Sequence, residues 1–298
     1  MNKTTERIFT FKATMFAIRN MKELRDSVVE SRIETKFYPE EEEIKIQEYI
    51  SANKEGMVFV SPDDTITTAL KYSVYRNDGK VGILNFANSL YPGGGVIRGA
   101  RAQEESICRC STLYPVLNTR ENKKRYYTPN LEKINNAICV IPDAIDSYER
   151  CINACMGTSS IIYTPNIKII KSQETITDFM NYFVPVDVIT CAAPDFNYLF
   201  DYVDKREITK IVQGDPYKWY MRDRCERIFK VAAINNVSTL VLGAFGCGAF
   251  LNDPKTVATI FRDLVNKYRY YFSNIIFAVY GENSENFKIF RKIINFEE

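Results

Sequence analysis

From Met57 onward, short apolar runs of strand length alternate with longer stretches of helical periodicity, and this alternation limits the possible folds more than any other feature. Met57 to Val60 reads as a strand, Ser61-Pro62-Asp63-Asp64 as a turn and Thr65 to Tyr72 as a helix. Val81 to Phe86, Ile138 to Ile141, Ile161 to Thr164 and Val186 to Cys191 read as further strands. A helix is expected at Arg222 to Ile234, where Cys225, Ile228, Phe229 and Ala232 share one face. A strand at Thr239 to Gly243, a helix at Val257 to Tyr268, a strand at Ile275 to Tyr280 and a helix at Phe287 to Ile294 complete the pattern. Strands separated by helices of this length imply an α/β fold with a largely parallel sheet covered on both faces. In such sheets ligands sit beyond the carboxyl ends of the strands, so the loops that follow strands matter most. Upstream, Met21, Leu24, Val28 and Val29 lie at helical spacing in a segment that ends near Pro39, followed by the solvated run Glu40 to Glu43. No repeat, linker or low-complexity tract divides the chain, so residues 1–298 are expected to form one domain, with about 1–40 as a helical extension.

Composition removes whole classes of chemistry. The chain has no histidine, which excludes Ser/His and Cys/His nucleophile systems and every zinc site that needs a histidine. Acid and base work falls to carboxylates, Lys, Tyr or Cys. The eight cysteines are scattered and form no Cys-x-x-Cys pair, which fits reduced thiols in an intracellular, cytoplasmic or nuclear, protein. Cys108 with Cys110, or Cys151 with Cys155, are the pairs closest to a metal site, but neither spacing matches a known cage, and no metal or cofactor is expected. Arg7, Lys12 and Arg19 interrupt the apolar residues of the N-terminus, and no run of 18 apolar residues occurs, so neither a signal peptide nor a membrane span is expected. With Lys+Arg at 39 and Asp+Glu at 37 the net charge is +2, too small for a broad basic surface. Any polyanion must be bound locally.

Glycine is scarce, yet seven of the 13 glycines fall in two short segments, 93–99 and 243–248, each after an expected strand and before an expected helix. Glycine lets a ligand approach backbone N–H groups, so loops of this kind cradle phosphates beside a helix N-terminus. One such loop alone is as well explained by a tight turn; two on one sheet point to a ligand. The first runs Asn85-Phe86-Ala87-Asn88-Ser89-Leu90-Tyr91-Pro92-Gly93-Gly94-Gly95 and is followed, seven residues later, by Gln103-Glu104-Glu105. A Glu pair in a first helical turn is commonly no more than a match to the helix dipole. Beside a pyrophosphate cradle it suggests instead a task on the sugar joined to that phosphate. Neighbouring helical residues point about 100° apart, so only one of the two glutamates can aim squarely at a reacting bond.

Gly93-Gly94-Gly95 followed by Gln103-Glu104-Glu105 resembles the signature of poly(ADP-ribose) glycohydrolases. The surrounding Asn85-Phe86-Ala87, and the second loop Gly243-Ala244-Phe245-Gly246-Cys247-Gly248-Ala249-Phe250 with Asn252-Asp253-Pro254, look like the bacterial and microbial branch. The likeness extends from about residue 40 to about 290. It implies a macrodomain-like three-layer α/β/α fold with a central mixed sheet, binding ADP-ribose in a cleft on its crest. On that resemblance Glu105 is the catalytic acid and Glu104 holds the ribose hydroxyls. Asn88 bonds the terminal ribose, Gly93, Gly94, Gly95 and Gln103 belong to the first cradle, and Gly246, Cys247, Gly248, Ala249 and Phe250 close over the pyrophosphate, Phe250 packing on the next ribose.

The implied reaction is hydrolysis of the ribose–ribose O-glycosidic bonds of poly(ADP-ribose), releasing ADP-ribose. Its oxocarbenium-like transition state needs an acid that keeps its proton until the bond breaks, a condition favoured by burial or by a neighbouring carboxylate. The expected partners are poly(ADP-ribose) or ADP-ribosylated macromolecules, with no membrane and no sequence-specific nucleic-acid binding, the chain acting as a monomer. Three alternatives stand beside this reading: a mono-ADP-ribosyl hydrolase for protein or nucleic-acid linkages, a non-catalytic ADP-ribose-binding macrodomain, and a nucleotide-binding enzyme of unrelated chemistry. The intact Gln103-Glu104-Glu105 argues against the second, and the missing Gly-x-Gly-x-x-Gly after the first strand weakens the third.

Overall fold

The apolar runs become the strands β1 (Lys36–Tyr38), β2 (Met57–Ser61), β3 (Lys80–Phe86), β4 (Ile161–Ile169), β5 (Val184–Cys191), β6 (Val237–Leu242) and β7 (Asn274–Ala278). They form one sheet in the order β1-β4-β5-β3-β6-β7-β2 in the computed structural model, which describes residues 2–47, 55–75, 79–138, 153, 155–199 and 205–295. Pairing is parallel from β5 through β3, β6 and β7 to β2, and antiparallel where β4 meets β5 and β1. The sheet is thus mixed and largely parallel, as the alternation predicts.

The described α-helices of eight residues or more are α1 (Lys3–Asn20), α2 (Lys22–Glu34), α3 (Thr65–Tyr75), α4 (Gln103–Cys110), α5 (Thr128–Ile138), α6 (Asp215–Ile234), α7 (Pro254–Tyr268) and α8 (Glu285–Ile294). Alternate strand residues feed two separate cores. Leu84, Leu240, Leu242, Ile275 and Phe277 pack with Ile228, Phe229, Phe261 and Phe290 of α6, α7 and α8. Ile83, Val241 and Ile276, one position out of phase, pack with Phe11, Leu24, Ile66 and Ile107 of α1, α2, α3 and α4. Strands apolar on both faces are what a parallel sheet between two helical layers requires.

Two differences from the sequence reading are informative. The N-terminal extension is two helices rather than one, and the stretch Lys36–Tyr38 continues as an edge strand paired to β4. Ile138, expected to open a strand, instead ends α5, and residues 139–141 lie outside the described set, as does Cys151.

β3 is the central strand, flanked by β5 and β6. After β3 the chain builds β4 and β5 on one side and β6 and β7 on the other, so a crevice opens at the carboxyl end of β3. Two buried arginines of α6 fix the loops around it. Arg224 donates to the carbonyls of Ala192, just past β5, and Met156. Arg227 donates to Pro39, Glu42 and Ser159. The carbonyls of the buried residues Met156, Ser159 and Ala192 are thereby paired by cations that cannot lose their charge.

Arg224→Leu keeps the apolar stem but leaves these buried carbonyls without donors. The expected loss of stability is about 3 kcal/mol or more, since hydrogen bonds to a charged group contribute roughly 1.5–3 kcal/mol each. Urea unfolding checks this, with a lowered midpoint at unchanged slope.

Candidate active site

The crevice lies between two loops that leave neighbouring strands, and each loop is shaped by one buried side chain. For the first loop that side chain is Glu104, in the opening turn of α4 and only 2% exposed. Its Oε1 accepts from Asn85 Nδ2 at 3.3 Å and from the Gly93 N–H at 3.2 Å, and its Oε2 accepts from the Asn88 N–H at 2.7 Å. Glu105, 7% exposed, accepts from the Gly95 N–H at 2.9 Å through Oε1 and makes no other hydrogen bond among the described residues.

Gly93 and Gly94 have φ of +69° and +54°, where a side chain is strained. Space forbids one as well. A Cβ on Gly94 would stand 2.6 Å from Glu105 Oε1, and one on Gly93 would stand 2.7 Å from the Tyr114 ring. The triple glycine is therefore the backbone that two carboxyl groups can approach.

Gln103 lines the cavity in this crevice and is also held by the protein at both ends of its amide. Its Oε1 accepts from the Phe86 N–H at 2.8 Å, and its Nε2 donates to the Leu84 carbonyl at 2.6 Å and to Thr65 Oγ1 at 3.1 Å. Both ends of the amide are engaged in pinning α4 and α3 to the end of β3. Asn88 Oδ1 accepts from the Leu90 and Tyr91 N–H groups at 2.9 and 2.8 Å, closing a turn and leaving its Nδ2 as the donor that faces no protein partner among the described residues.

The second loop is organised by Asn252. Its Nδ2 donates to the carbonyls of Pro194 and Gly246 at 2.8 and 3.0 Å, and its Oδ1 accepts from Tyr217 Oη at 2.8 Å. Gly246, at φ +73°, has no room for a Cβ, which would lie 2.6 Å from that of Ala193. Asp253 then caps α7 by accepting from the Thr256 N–H, and Pro254 opens the helix. The sequence Asn252-Asp253-Pro254 is thus a hinge pin and a helix start. Phe86 and Phe245, 5.7 Å apart, join the two loops at their base.

A cavity of about 910 Å³ opens between the second loop, the start of α4 and α1; Asn88, Gly93, Gly94, Gly95, Glu104 and Glu105 are not among the residues that line it. Gly246, Gly248, Ala249 and Phe250 line it from one side, Phe86, Gln103 and Ser106 from below, and Lys3, Glu6 and Arg7 of α1 from the far end. Cys247 does not line it; the thiol turns toward the Phe245 carbonyl, and burial pushes its pKa up. A Cβ on Gly248 would meet nothing within 4 Å, so this residue faces open cleft. No motif marks α1, which the sequence suggests only as a buttress for one end of the cleft. Arg7 Nε donates to the Gly99 carbonyl at 2.7 Å, and a Cβ on Gly99 would meet the Thr4 carbonyl at 2.6 Å, so α1 rests on the end of the first loop. Asn85, fully buried between Glu104 and Thr190, is the other residue that function-directed reading leaves without a role. Cys108 and Cys110 are buried on α4, and no group of three or more His, Cys, Asp or Glu side chains converges among the described residues.

Burial dominates the electrostatics of Glu104. It raises the carboxyl to about 8, helped by the Glu105 charge and opposed by the N–H donors from Asn88, Asn85 and Gly93.

The family model described as microbial-type PARG, catalytic domain, matches residues 3–172, and so begins with α1. The N-terminal helices fall within the matched region, although the motif-based likeness starts only near residue 40. Among solved structures, the poly(ADP-ribose) glycohydrolase of Deinococcus radiodurans in complex with ADP-ribose is similar at 25% identity and TM-score 0.70, covering 90% of this chain and 97% of that one. The poly(ADP-ribose) glycohydrolase of Thermomonospora curvata is similar at 21% identity and TM-score 0.74, covering 97% and 99%. The same enzyme bound to the inhibitor ADP-HPD is similar at 22% identity and TM-score 0.69, covering 96% and 98%. The macrodomain-like layering expected from the loops is therefore the fold of these proteins. No curated protein matches the chain.

The Glu104 environment sets a pH dependence of stability. Its folded pKa, about 8, lies above the ordinary 4.5. Between those values the folded state holds the proton that the unfolded state has lost, so stability falls as pH rises through this window. Lys171, depressed by burial from 10.5 to about 8, titrates differently in the two states only above that window, and with the opposite sign. The melting temperature is expected to fall from pH 5.5 to 8 in the wild type and to fall less steeply in Glu104→Gln, as thermal scans across that range would check.

Proposed function

The chain belongs to the microbial-type poly(ADP-ribose) glycohydrolase family, and from that premise we propose that it cleaves ribose–ribose O-glycosidic bonds with Glu105 as the proton carrier. The observation that supports this assignment is the unequal engagement of the two carboxyl groups. Glu104 accepts three N–H donors of the first loop, whereas Glu105 accepts one and keeps its second oxygen for a ligand.

In this reading an ADP-ribose unit lies across the two loops, its pyrophosphate over the open side of Gly248 and its reacting ribose beside Gly94 and Gly95. Glu105 gives its proton to the oxygen that leaves C1 of that ribose as the C1–O bond breaks. Positive charge develops on the sugar, and the substrate's own diphosphate, held nearby, helps to stabilise it. Glu105, now ionised, takes a proton from the water that attacks C1, which restores the acid and frees ADP-ribose. Glu104 acts by shaping the loop; one lone-pair site on Oε2 remains for a ribose hydroxyl. The Nδ2 of Asn88 is placed to bond the same ribose, and Phe250 to pack on the next. Glu105 carries the proton cycle without a metal or other cofactor.

Among the described residues Cys108, Cys110, Cys191, Cys225 and Cys247 are free thiols, which suits an intracellular, reducing compartment. No helix among the described residues is long and apolar enough to cross a membrane.

Glu105→Gln keeps size and hydrogen-bonding shape and removes acid and base capacity. Its turnover of poly(ADP-ribose) should fall by the ~100 to 10,000-fold typical of a lost general acid, with ADP-ribose affinity by calorimetry near wild type. Full turnover in that variant would falsify the mechanism. Assaying mono-ADP-ribosylated protein in parallel separates the neighbouring activity, since release from that substrate alone would shift the assignment to a mono-ADP-ribosyl hydrolase.

The second loop offers an independent check. Gly248→Val introduces a side chain into open cleft without touching the protein, so thermal stability should be unchanged while ADP-ribose affinity drops about tenfold or more, on the order of the ~1.4 kcal/mol per decade that such a clash readily exceeds. Unchanged affinity would reduce the loop to a plain strand-to-helix turn.

A further inference from the structure

A second concavity, of about 660 Å³, lies on the other side of the first loop, between α1, α2 and the turn after α4. Its floor is apolar, with Phe11, Ile18 and Val28, and its walls carry Arg19, Arg25 and Arg32. No acidic side chain lines it among the described residues. The segregation is written into α2. At 100° per residue Arg25 and Arg32 fall on one side of the helix, whereas Glu23, Asp26, Glu30 and Glu34 cluster on the opposite side. A chain whose net charge is only +2 thus concentrates three guanidinium groups at one groove.

Two structural links join the groove to the active site, although the two concavities share no lining residue. Tyr114 and Ile97 form its rim. Tyr114 packs beneath Gly93, and Ile97, 60% exposed, stands in the turn Val96–Arg98 directly after Gly95, whose N–H holds Glu105. The helix α1 supplies the second link, since its first turns line the cleft with Lys3 and Arg7 and its last turns line the groove with Ile18 and Arg19. Hydrolysis of a polymer needs room for two partners, the unit that is released and the chain that leaves. The cleft between the two glycine loops serves the first.

We propose that the arginine groove of α1 and α2 binds the leaving side of the polymer, one ADP-ribose unit beyond the bond that is cut. The inference rests on the glycohydrolase reading above. The diphosphate of that unit meets the guanidinium groups, and its base lies on the apolar floor and the exposed Ile97. Arg32, already anchored by donating to the Pro115 carbonyl at 2.7 Å through Nη2, presents a fixed positive wall, while Arg19 has no hydrogen-bond partner for its side chain among the described residues. The groove therefore selects long substrate without touching the reacting ribose.

The test is anisotropy of labelled poly(ADP-ribose) binding in the full-length Glu105→Gln background, with and without Arg19→Glu plus Arg25→Glu, alongside calorimetry with ADP-ribose. The charge-reversed protein should bind polymer at least tenfold more weakly and ADP-ribose with unchanged affinity. The slope of log affinity against log salt should become shallower by about 1 to 2, given roughly 0.7 per phosphate contact on a single strand. Arg19→Lys plus Arg25→Lys, which retains charge, should recover most of the polymer affinity. Polymer affinity and salt slope unaffected by charge reversal would overturn the proposal. So would loss of ADP-ribose binding together with polymer binding, or single-stranded RNA and polyglutamate binding as tightly as poly(ADP-ribose). Because binding is read without turnover, failure of the hydrolytic assignment, seen as no polymer cleavage by the wild type, is a separate result.

Discussion

A carboxyl group held out of water against a glycine backbone is the interaction on which this site depends. Glu104 gathers the Asn85 amide and the N–H groups of Asn88 and Gly93, which belong to three separate points on the path out of β3. Burial there disfavours the charged form of the carboxyl, which is why its pKa rises to about 8. In return the loop can take only one course, and Gly95 is brought to Glu105. The less engaged of the two carboxyl groups is positioned by the more engaged one.

The same division of labour recurs in the second loop. Asn252, 2% exposed, ties Gly246 to Pro194 and Tyr217, and so links the loop after β6 to the loop after β5 and to α6. Residues that face the cleft, Gly248 and Ala249, are exposed and little constrained, whereas those one layer beneath are fixed by hydrogen bonds to the sheet ends. Rigidity sits below the ligand surface. This suits a reaction in which protein groups must stay within hydrogen-bond reach of a sugar that changes shape.

Most of the fold was legible because its strands are apolar on both faces and its later helices carry clear stripes, as α7 and α8 do with Ile260, Phe261, Leu264, Phe287 and Phe290 inward. α1 was not, and the reason is physical. It buries Thr10 and Thr14 beside Phe11, Ala17 and Ile18 while leaving Phe9 and Phe16 exposed, so no apolar stripe marks its inner face. The Thr10 hydroxyl bonds back to the Glu6 carbonyl within α1, whereas other partners are tertiary: Thr14 Oγ1 donates to the Arg109 carbonyl, and Lys171 Nζ approaches the Thr10 carbonyl. At the site, glycine spacing located both loops and the carboxyl pair. It could not show that Gln103 is engaged by Phe86, Leu84 and Thr65, because a side chain that clamps a strand end and one that cradles a ligand occupy the same place in the motif.

The tie between α1 and α4 has a consequence for catalysis. α4 carries Glu104 and Glu105 at its start and, one to two turns on, the fully buried Arg109 and Cys110 at its end. Arg109 Nε donates to Glu174 Oε2 at 2.6 Å and its Nη1 to the Ala100 carbonyl at 2.9 Å, so the helix is held at its far end by an ion pair and by the loop that precedes it. Lys171, buried beside it, donates to the Thr175 carbonyl at 2.7 Å and stacks 4.3 Å over the Phe179 ring. A helix of eight residues has little stiffness of its own, and most helical stability comes from packing. Its orientation, and with it the aim of Glu105, is therefore set by α1 and by the segment after β4. A chain cut back to the glycine loops and their strands would keep every residue of the recognisable motif and lose the contacts that orient Glu105.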